Sequence, residues 1–377
     1  MKKKRIYLSP PHLSGKEAQK LEEVLRSNWI STTGPALDEF EAEFCKVTGA
    51  RHAVALNSGT AAIHLAMILA GVTPGDEVIC STFTFVASAN PILYGGAKPI
   101  FIDSETATWN LSPDLLVDFL RNRARISRIP KALLLVHLYG QAAEIDRIKH
   151  ICNEHNILLI EDAAEALGAK YHGRTVGLDG ELGVYSFNGN KIITTSGGGM
   201  LVTRSEEQAQ LARKLASQAK DAAPHYQHSL QGYNYRLSNV LAAIGLSQLK
   251  VLDERIAARR AIFDRYRSAL KDLAGVSFMP EPQGFFSTRW LTCILVDPKK
   301  AGVDREKIRT HLENFQIESR PLWKPMHLQP LFRGYDCVGG QTAERFFEQG
   351  LSLPSGSSLT LEEQQRVIEL IRQCFSK

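Results

Sequence analysis

Short apolar runs alternate with helix-like patterns between about residues 50 and 203 of the chain. The apolar runs predict β-strands at 52–56, 77–81, 98–103, 131–137 and 157–162. Between them, apolar residues recur at helical spacing and predict helices at 60–71, 84–95, 112–124 and 144–155. The strands are apolar without alternation, which is typical of a parallel sheet covered by helices on both faces. The pattern therefore predicts an α/β sandwich with right-handed crossovers.

Helical patterns also flank this region. One helix is predicted near residues 15–27, and one long amphipathic helix is predicted over 238–270. From about residue 275 to 377, a few short strands mix with helices at 304–315 and 359–375. This mixture predicts a smaller α+β domain after the large one. We therefore expect one domain of residues 1–250 and a second of residues 251–377.

The composition excludes several classes of protein. The 377 residues are 44 % hydrophobic and 23 % charged, with a formal net charge of +5, which is too small to indicate nucleic-acid binding. The basic start MKKKR is not followed by the apolar segment of a signal peptide. No apolar run approaches the ~18 residues of a membrane helix. We therefore expect a cytoplasmic protein that binds neither nucleic acid nor a membrane.

Cysteine and histidine spacing indicates neither a metal site nor disulfides. The cysteines are scattered and form no C-x-x-C pair, and the histidines show no H-E-x-x-H spacing. Scattered cysteines fit reduced cytosolic thiols. The positions concerned are Cys45, Cys80, Cys152, Cys293, Cys337 and Cys374.

The residues that suggest chemistry follow the ends of predicted strands. In an open α/β sheet, ligands bind outside the carboxyl ends of the strands. The stretch NSGTAA follows the first strand, so Ser58, Gly59 and Thr60 offer hydroxyls and backbone N–H groups where a helix begins. That is a natural phosphate site, although an ordinary helix cap is the simpler interpretation. The sequence contains neither G-x-G-x-x-G nor a P-loop motif, so neither a dinucleotide fold nor a P-loop is indicated.

Two further strand ends carry an aromatic ring and carboxylates. Phe85 follows the second strand, where it either packs in the core or stacks on a planar ligand. Glu161 and Asp162 end a very apolar strand, where a carboxylate needs a partner. Asp162 either caps the next helix or holds a cationic ring nitrogen.

Lys191 lies between two apolar strand-like runs and is followed by the glycines 197–199. It either extends into solvent at a loop tip or points into a cleft. A nucleophilic lysine needs a neutral amine, and glycines let the backbone approach a ligand closely. A phosphate site, a stacking ring, a carboxylate for a ring nitrogen and an amine for a carbonyl are together what pyridoxal phosphate requires.

These motifs resemble those of the DegT/DnrJ/StrS family of nucleotide-sugar aminotransferases, and the resemblance covers nearly the whole chain. The matching segments are WISTTGPALDEFE, NSGTAAIHLA, IEDAAEALGA, YSFNGNK, NGNKIITTSGGGML, GYNYRLSN, RPLWKPMHLQP and LSLPSG. The resemblance implies the aspartate aminotransferase-like (type I) fold, with a mostly parallel sheet in the large domain. It also implies pyridoxal 5′-phosphate as cofactor and, as is usual in this family, L-glutamate as the amino donor.

The resemblance also implies roles for individual residues. Lys191 would carry the cofactor covalently and move the proton, Asp162 would pair with the pyridinium nitrogen, and Phe85 would stack on the ring. Glu165 stands where many members have His or Gln near the phenolic oxygen of the cofactor, so as a carboxylate it could also contact the substrate. Asn234 would reach the phosphate in a neighbouring subunit, which implies a homodimer with shared active sites. The phosphate would be held by Ser58, Gly59, Thr60 and Ser186.

The sugar is less sharply indicated. The segment FTFVASANPILYGGAKPIFIDSETATWNLSP, with YSFNGNKIITTSGGGML, most resembles enzymes that aminate a UDP-2-acetamido-2,6-dideoxy-4-keto-hexose at C4, on the route to bacillosamine-type sugars. The remaining candidates for the nucleotide-sugar cleft have alternative interpretations as loop, core or solvated residues. They are Ser31, Thr32, Thr33, Arg236, Trp323, Lys324 and His327.

Two other functions stay open at this point. One is amination of a different substrate, such as a dTDP-linked keto-sugar or a cyclitol. The other is a non-catalytic sensor or regulator with an aminotransferase fold, although a scaffold needs no lysine, aspartate and phosphate site together. Members of the dehydratase branch of the family carry histidine in place of this lysine, so Lys191 argues against dehydration.

Overall fold

The computed structural model describes residues 4–375, so Met1 to Lys3 of the basic start lie outside the described residues. The helices are α1 (Glu17–Ser27), α2 (Pro35–Thr48), α3 (Gly59–Leu69), α4 (Val86–Tyr94), α5 (Pro113–Arg125), α6 (Ile145–Glu154), α7 (Glu206–Ala216), α8 (Asn239–Leu249), α9 (Leu252–Leu270), α10 (Pro298–Ala301), α11 (Arg305–Asn314), α12 (Gln341–Gln349) and α13 (Leu361–Gln373). The strands are β1 (His52–Leu56), β2 (Glu77–Ser81), β3 (Lys98–Ile102), β4 (Ala132–Val136), β5 (Leu158–Asp162), β6 (Lys170–Tyr171), β7 (Arg174–Thr175), β8 (Leu182–Ser186), β9 (Gly199–Thr203), β10 (Val276–Phe278), β11 (Phe285–Phe286), β12 (Thr292–Val296), β13 (Arg320–Pro321), β14 (Cys337–Val338) and β15 (Gly350–Leu353).

The central sheet has eight strands in the order β1-β9-β8-β5-β4-β2-β3-β14. Its neighbours pair in parallel except at β9, which runs antiparallel to both β1 and β8. The carboxyl ends of β1, β2, β4, β5 and β8 therefore meet at one edge, where β9 begins. β4 is buried along its whole length, as expected for a strand with helices over both faces. The predicted mostly parallel sheet is confirmed.

Local sequence explains where the helices begin. Ser58 caps α3, Ser112 caps α5 and Thr360 caps α13, each through its side-chain oxygen. Each hydroxyl satisfies a backbone N–H that has no partner inside the helix.

The single long helix predicted over 238–270 is wrong. The structure has two helices, α8 and α9, separated at Lys250 and Val251. Val251 has φ −111° and leaves the helical conformation, while its carbonyl begins the hydrogen bonding of α9. The residues around the break include neither glycine nor proline, so the pattern carried no warning of it.

The C-terminal part contains its own four-stranded antiparallel sheet, in the order β10-β12-β15-β13. Apolar side chains of this sheet, including Ile294 and Leu351, pack against α9, α11 and α13 and form a separate core. Two features cross the expected boundary at residue 250. Ile6, near the N-terminus, belongs to this smaller core, and β14 extends the large sheet beside β3.

All six cysteines are free thiols. Within residues 4–375, no helix is long and apolar enough to cross a membrane.

Candidate active site

A cavity of about 400 Å³ opens at the edge of the large sheet where the strands end. It is lined by residues that follow β1, β2, β5 and β8, which are far apart in sequence. The predicted site residues that the structure brings together here are Ser58, Gly59, Thr60, Phe85, Asp162, Glu165, Ser186, Lys191 and Trp323.

Lys191 lies in the loop between β8 and β9, and its side chain is 12 % exposed. Its Nζ is 3.8 Å from Glu165 Oε1 and 4.3 Å from the centre of the Trp290 ring. Burial lowers the pKa of the amine, although the carboxylates of Glu165 and Asp162 act in the opposite direction. A neutral amine, the form that a nucleophile needs, is therefore more accessible here than in water.

Asp162 is the last residue of β5 and is 4 % exposed. Its Oδ2 accepts a hydrogen bond from Ser88 Oγ at 2.7 Å, and its Oδ1 accepts one from the Ala164 N–H at 3.0 Å. The serine and the backbone thus fix the carboxylate at the base of the cavity, where it lines the same space as Lys191.

Glu161 does not line the cavity, because neighbouring side chains of a strand point to opposite faces. Its carboxylate accepts hydrogen bonds from His137 Nε2 and from the N–H groups of Gly177, Asp179 and Gly180. Burial by itself would raise the pKa of Glu161, but these donors lower it below the usual value. Glu161 therefore anchors the loop before β8 to the end of β5.

The first turn of α3, where a phosphate site is predicted, lines the cavity. Ser58 accepts a hydrogen bond from the Ala61 N–H at 3.1 Å, which leaves the first backbone N–H groups of the helix for a ligand. A Cβ added at Gly59 would lie 3.0 Å from Ser186 Cβ, and one at Gly199 would lie 2.6 Å from Gly59 N. Glycine at both positions lets β8, β9 and α3 approach each other closely beside the cavity.

Glu165 is buried beside the lysine. Its Oε2 accepts a hydrogen bond from the Tyr139 N–H at 2.9 Å, and its Oε1 lies 3.8 Å from Lys191 Nζ. Burial raises the pKa of this carboxyl group, and the positive charge of Lys191 opposes the shift. Glu165 and Lys191 therefore influence each other's protonation.

The rings of Phe85, Trp290 and Trp323 line the cavity. Tyr139 is stacked on Trp290 and on Trp323, at ring-centre distances of 6.3 and 5.8 Å. Phe85 lies 5.3 Å from Trp323 and remains 47 % exposed, which is unusual for a phenylalanine beside a buried strand. Its exposed face is available to stack on a planar ligand.

Several predicted substrate residues lie outside the cavity of this chain. Ser31, Thr32 and Thr33 form an exposed turn, in which the hydroxyls of Ser31 and Thr33 contact each other at 3.1 Å. Lys324 is also exposed. The side chain of each of these residues faces solvent because the segment that carries it runs over the surface.

Three other predicted residues do not line the cavity of this chain. Arg236 is not solvated on the surface, since its side chain is 10 % exposed and donates to Glu41 at 2.6 Å, and its contact with a diphosphate stays a prediction. His327 contacts Thr82 at 2.7 Å and Glu344 at 2.9 Å. Asn234 has an exposed side chain, and its carbonyl accepts a hydrogen bond from Asn57, which lines the cavity.

Some residues of the site carry no recognisable signal in the sequence. Trp290 contacts Lys191 from the C-terminal part of the chain, and Ser88 holds Asp162. Tyr139 orients Glu165 through a left-handed backbone at φ 53°. No sequence motif marks these positions, because each side chain reaches the site only through tertiary packing.

Comparison with known proteins gives consistent matches. The model of the DegT/DnrJ/EryC1/StrS aminotransferase family matches residues 11–372. EpsN of Bacillus subtilis, named as a pyridoxal phosphate-dependent aminotransferase, is 51 % identical over 99 % of this chain and 96 % of its own. A GDP-perosamine synthase of Vibrio cholerae is 38 % identical over 97 % and 98 %. The crystal structure of the aminotransferase TlmJ from Streptoalloteichus hindustanus is 31 % identical, covers 98 % of both chains and superposes with a TM-score of 0.90.

The chain therefore belongs to the DegT/DnrJ/EryC1/StrS aminotransferase family. It is a pyridoxal phosphate-dependent aminotransferase with the type I fold. The residues of the cavity fit this cofactor. They provide an amine with a lowered pKa, a fixed carboxylate, a helix N-terminus with hydroxyls for a phosphate, and an exposed ring for stacking.

Proposed function

We propose that the chain transfers an amino group from L-glutamate to C4 of a UDP-linked 4-keto-6-deoxy-N-acetylhexosamine. The product would be a UDP-4-amino-4,6-dideoxy sugar for glycan biosynthesis. The observation that carries the proposal is the enclosed amine of Lys191 in the same cavity as the Asp162 carboxylate. An amine with a lowered pKa beside a fixed negative charge is the arrangement that this chemistry needs.

The chain's own residues would hold the cofactor in a defined orientation. When bound, pyridoxal phosphate supplies an electron sink for the charge left at a carbon that loses its proton. Asp162 would hold the ring nitrogen in its protonated form, because a carboxylate fixed by Ser88 and Ala164 favours a positive charge beside it. Phe85 would cover one face of the ring. The phosphate would lie at the start of α3, with the hydroxyls of Ser58, Thr60 and Ser186.

Lys191 would perform the proton transfers. Its Nζ takes a proton from the amino-bearing carbon of the donor, and in the second half-reaction it delivers a proton to the sugar carbon that becomes aminated. A single amine serves both steps because its lowered pKa makes the neutral and protonated forms closer in free energy than in water. Trp290 lies 4.3 Å from this amine, whose side chain is only 12 % exposed, and this low access to water strengthens the electrostatic interactions of the amine.

Glu165 would tune the lysine. Its Oε1 faces Nζ at 3.8 Å, while the Tyr139 N–H holds its other oxygen. Because burial raises its pKa, Glu165 is a carboxyl group that can both stabilise the protonated lysine and donate a hydrogen bond when neutral. Its place in the cavity also allows contact with the substrate.

The choice of sugar is supported by resemblance and by one cavity residue. The segment from residue 83 to 113 most resembles enzymes that act at C4 of UDP-linked keto-sugars. Trp323 lines the cavity next to Phe85 and would contact the sugar or its base. A GDP-linked keto-sugar is the second candidate, because relatives that match this chain over nearly their whole length are named GDP-perosamine synthase.

Direct product identification tests this function. The enzyme, loaded with pyridoxal 5′-phosphate, is incubated with L-glutamate and with UDP-, GDP- or dTDP-linked 4-keto-6-deoxy sugars in parallel. We expect amination at C4 by NMR, with the highest kcat/KM for the UDP-linked N-acetylhexosamine, and no product from Lys191→Ala. Higher kcat/KM for the GDP-linked sugar would replace the first candidate with the second. Absence of an aminated sugar in every reaction would contradict the proposed function.

We also propose that the active form is a homodimer in which Asn234 completes the site of the other subunit. The support is that Asn234 is exposed while its carbonyl bonds to the cavity residue Asn57, together with two large exposed hydrophobic residues in the same stretch, Tyr226 and Leu230. Mixing Lys191→Ala and Asn234→Ala subunits tests this. Shared sites should restore about a quarter of wild-type activity through mixed dimers, whereas separate sites leave only the average of the two inactive or weakened parents.

A further inference from the structure

The carbonyl oxygen of Asn190, the residue directly before Lys191, accepts hydrogen bonds from two distant parts of the chain. Ser9 Oγ donates to it at 2.8 Å from the N-terminal segment. Trp290 Nε1 donates to it at 2.9 Å from the C-terminal part. An ordinary loop carbonyl needs neither partner, because water satisfies it. Two protein donors on this one oxygen therefore fix the backbone where the lysine begins.

The directions of these hydrogen bonds are set by chemistry. The indole nitrogen of Trp290 is a donor only, and so is every nitrogen of a guanidinium. Arg259 Nη2 lies 3.0 Å from Ser9 Oγ, so the serine must accept from the arginine. The single hydroxyl proton of Ser9 is then free to be donated to Asn190. Arg259 therefore donates to Ser9, and Ser9 donates to Asn190.

Arg259 is 1 % exposed, and its acceptors are neutral oxygens. Besides Ser9 they are the carbonyls of Trp290 and Ser355. Burial lowers the pKa of Arg259 to about 9, so the side chain stays charged at neutral pH. A buried charge held by neutral acceptors is costly to maintain. We take this cost as a sign that Arg259 orients groups that matter for function.

The N-terminal segment that carries Ser9 is itself held at several points. The Ser355 N–H donates to the Leu8 carbonyl at 2.8 Å, and Leu8 N–H donates to Glu318 Oε2 at 3.0 Å. Further along, Gln248 Nε2 donates to the His12 carbonyl at 3.2 Å. Ser9 therefore approaches Asn190 from a fixed stretch of chain.

We propose that Ser9, Trp290 and Arg259 act as positioning residues that hold Lys191 in its reactive orientation through the Asn190 carbonyl. The proposal rests on the role of Lys191 in the proposed function. Trp290 contributes twice, since its ring faces the lysine Nζ at 4.3 Å while its N–H holds the preceding carbonyl. The three side chains come from both ends of the sequence and meet at the loop between β8 and β9.

The test follows how fast the lysine captures the cofactor, and not only turnover. Apo-protein is mixed with pyridoxal 5′-phosphate in a stopped-flow instrument, and the visible absorption of the bound form gives the second-order rate constant. Ser9→Ala removes one donor to Asn190, and Trp290→Phe removes the other while keeping an aromatic ring. Ser357→Ala is the matched control, because that hydroxyl contacts His12 of the same N-terminal segment at 3.0 Å but not Asn190.

We expect capture to slow roughly tenfold in Ser9→Ala and Trp290→Phe, since small misplacements of a reacting group cost this much or more. The pH midpoint of the visible band should also shift in both variants, and kcat should fall more than KM rises. The control should capture at the wild-type rate. Wild-type capture by both test variants, or equal slowing in the control, would overturn the proposal. Failure of the wild-type protein to bind the cofactor would instead refute the role of Lys191 itself.

Discussion

Replacing Arg236 by methionine tests whether this arginine belongs to the core or to the substrate site. Arg236 Nη1 donates to Glu41 Oε1 at 2.6 Å and to the Ala55 carbonyl at 3.0 Å. The side chains of Arg236 and Glu41 are only 10 % and 8 % exposed, so salt and water screen the pair weakly. The interaction should therefore contribute measurably to stability, unlike an ion pair on the surface.

The size of the effect follows from what remains after the substitution. Removing one partner of a buried ion pair costs about 3–5 kcal/mol, because the other charge is left uncompensated. Glu41 keeps Arg213, whose Nη2 lies 2.8 Å from Oε2. We therefore expect a loss at or just below the lower limit of this range, roughly 2–3 kcal/mol in the free energy of unfolding.

Urea unfolding of Arg236→Met, Glu41→Gln and the double variant, at one protein concentration, measures this loss. The double variant should lose less than the sum of the single variants, because no carboxylate is then left without its partner. The KM for the nucleotide sugar should stay within about twofold of wild type. An unchanged free energy of unfolding together with a tenfold higher KM would refute the assignment of Arg236 to the core.

Glu165→Gln should move the acid limb of the pH–kcat profile to lower pH, because loss of the carboxylate lowers the pKa of Lys191; a shift to higher pH would contradict this. Burial tends to raise the pKa of Glu17, but hydrogen bonds to its carboxylate hold this pKa at about 2. The free energy of unfolding in urea should therefore fall by roughly 1–3 kcal/mol between pH 4.5 and 2. Glu17→Gln should not show this loss. Gly199→Ala should weaken cofactor binding at least about tenfold by equilibrium dialysis, because its Cβ would press on the start of α3, whereas Gly197→Ala, whose Cβ meets nothing closer than 3.8 Å, should have a smaller effect.

Local patterns predicted the large sheet well, because its signals lie within single segments. The strand predictions between residues 52 and 162 agree with the observed bounds to within one residue at each end. Long apolar runs without alternation identify strands covered on both faces. The break between α8 and α9 was missed, because neither lysine nor valine, the residues at 250 and 251, is a helix-breaking residue.

Cavity residues that directly follow the end of a strand were predicted. Residues that depend on contacts between distant parts of the sequence were missed. Asp162 and Lys191 follow strands of one sheet, so parallel topology brings them to one edge. The ion pair of Arg236 with Glu41 joins residues 195 positions apart, and nothing local distinguishes it from a surface arginine. Trp290 likewise reaches the lysine only because the C-terminal part folds back over the large sheet.

We propose that the enclosed amine of Lys191 binds the cofactor covalently. Borohydride reduction of the holoenzyme, followed by proteolysis and mass spectrometry, measures this directly. We predict that the pyridoxyl group is found on the peptide that contains Lys191. Lys191→Ala should lose the label, whereas the control variant Lys271→Ala, changed at an exposed lysine, should keep the label on Lys191. Labelling of a different lysine in wild type, or wild-type labelling of Lys191→Ala, would contradict the account.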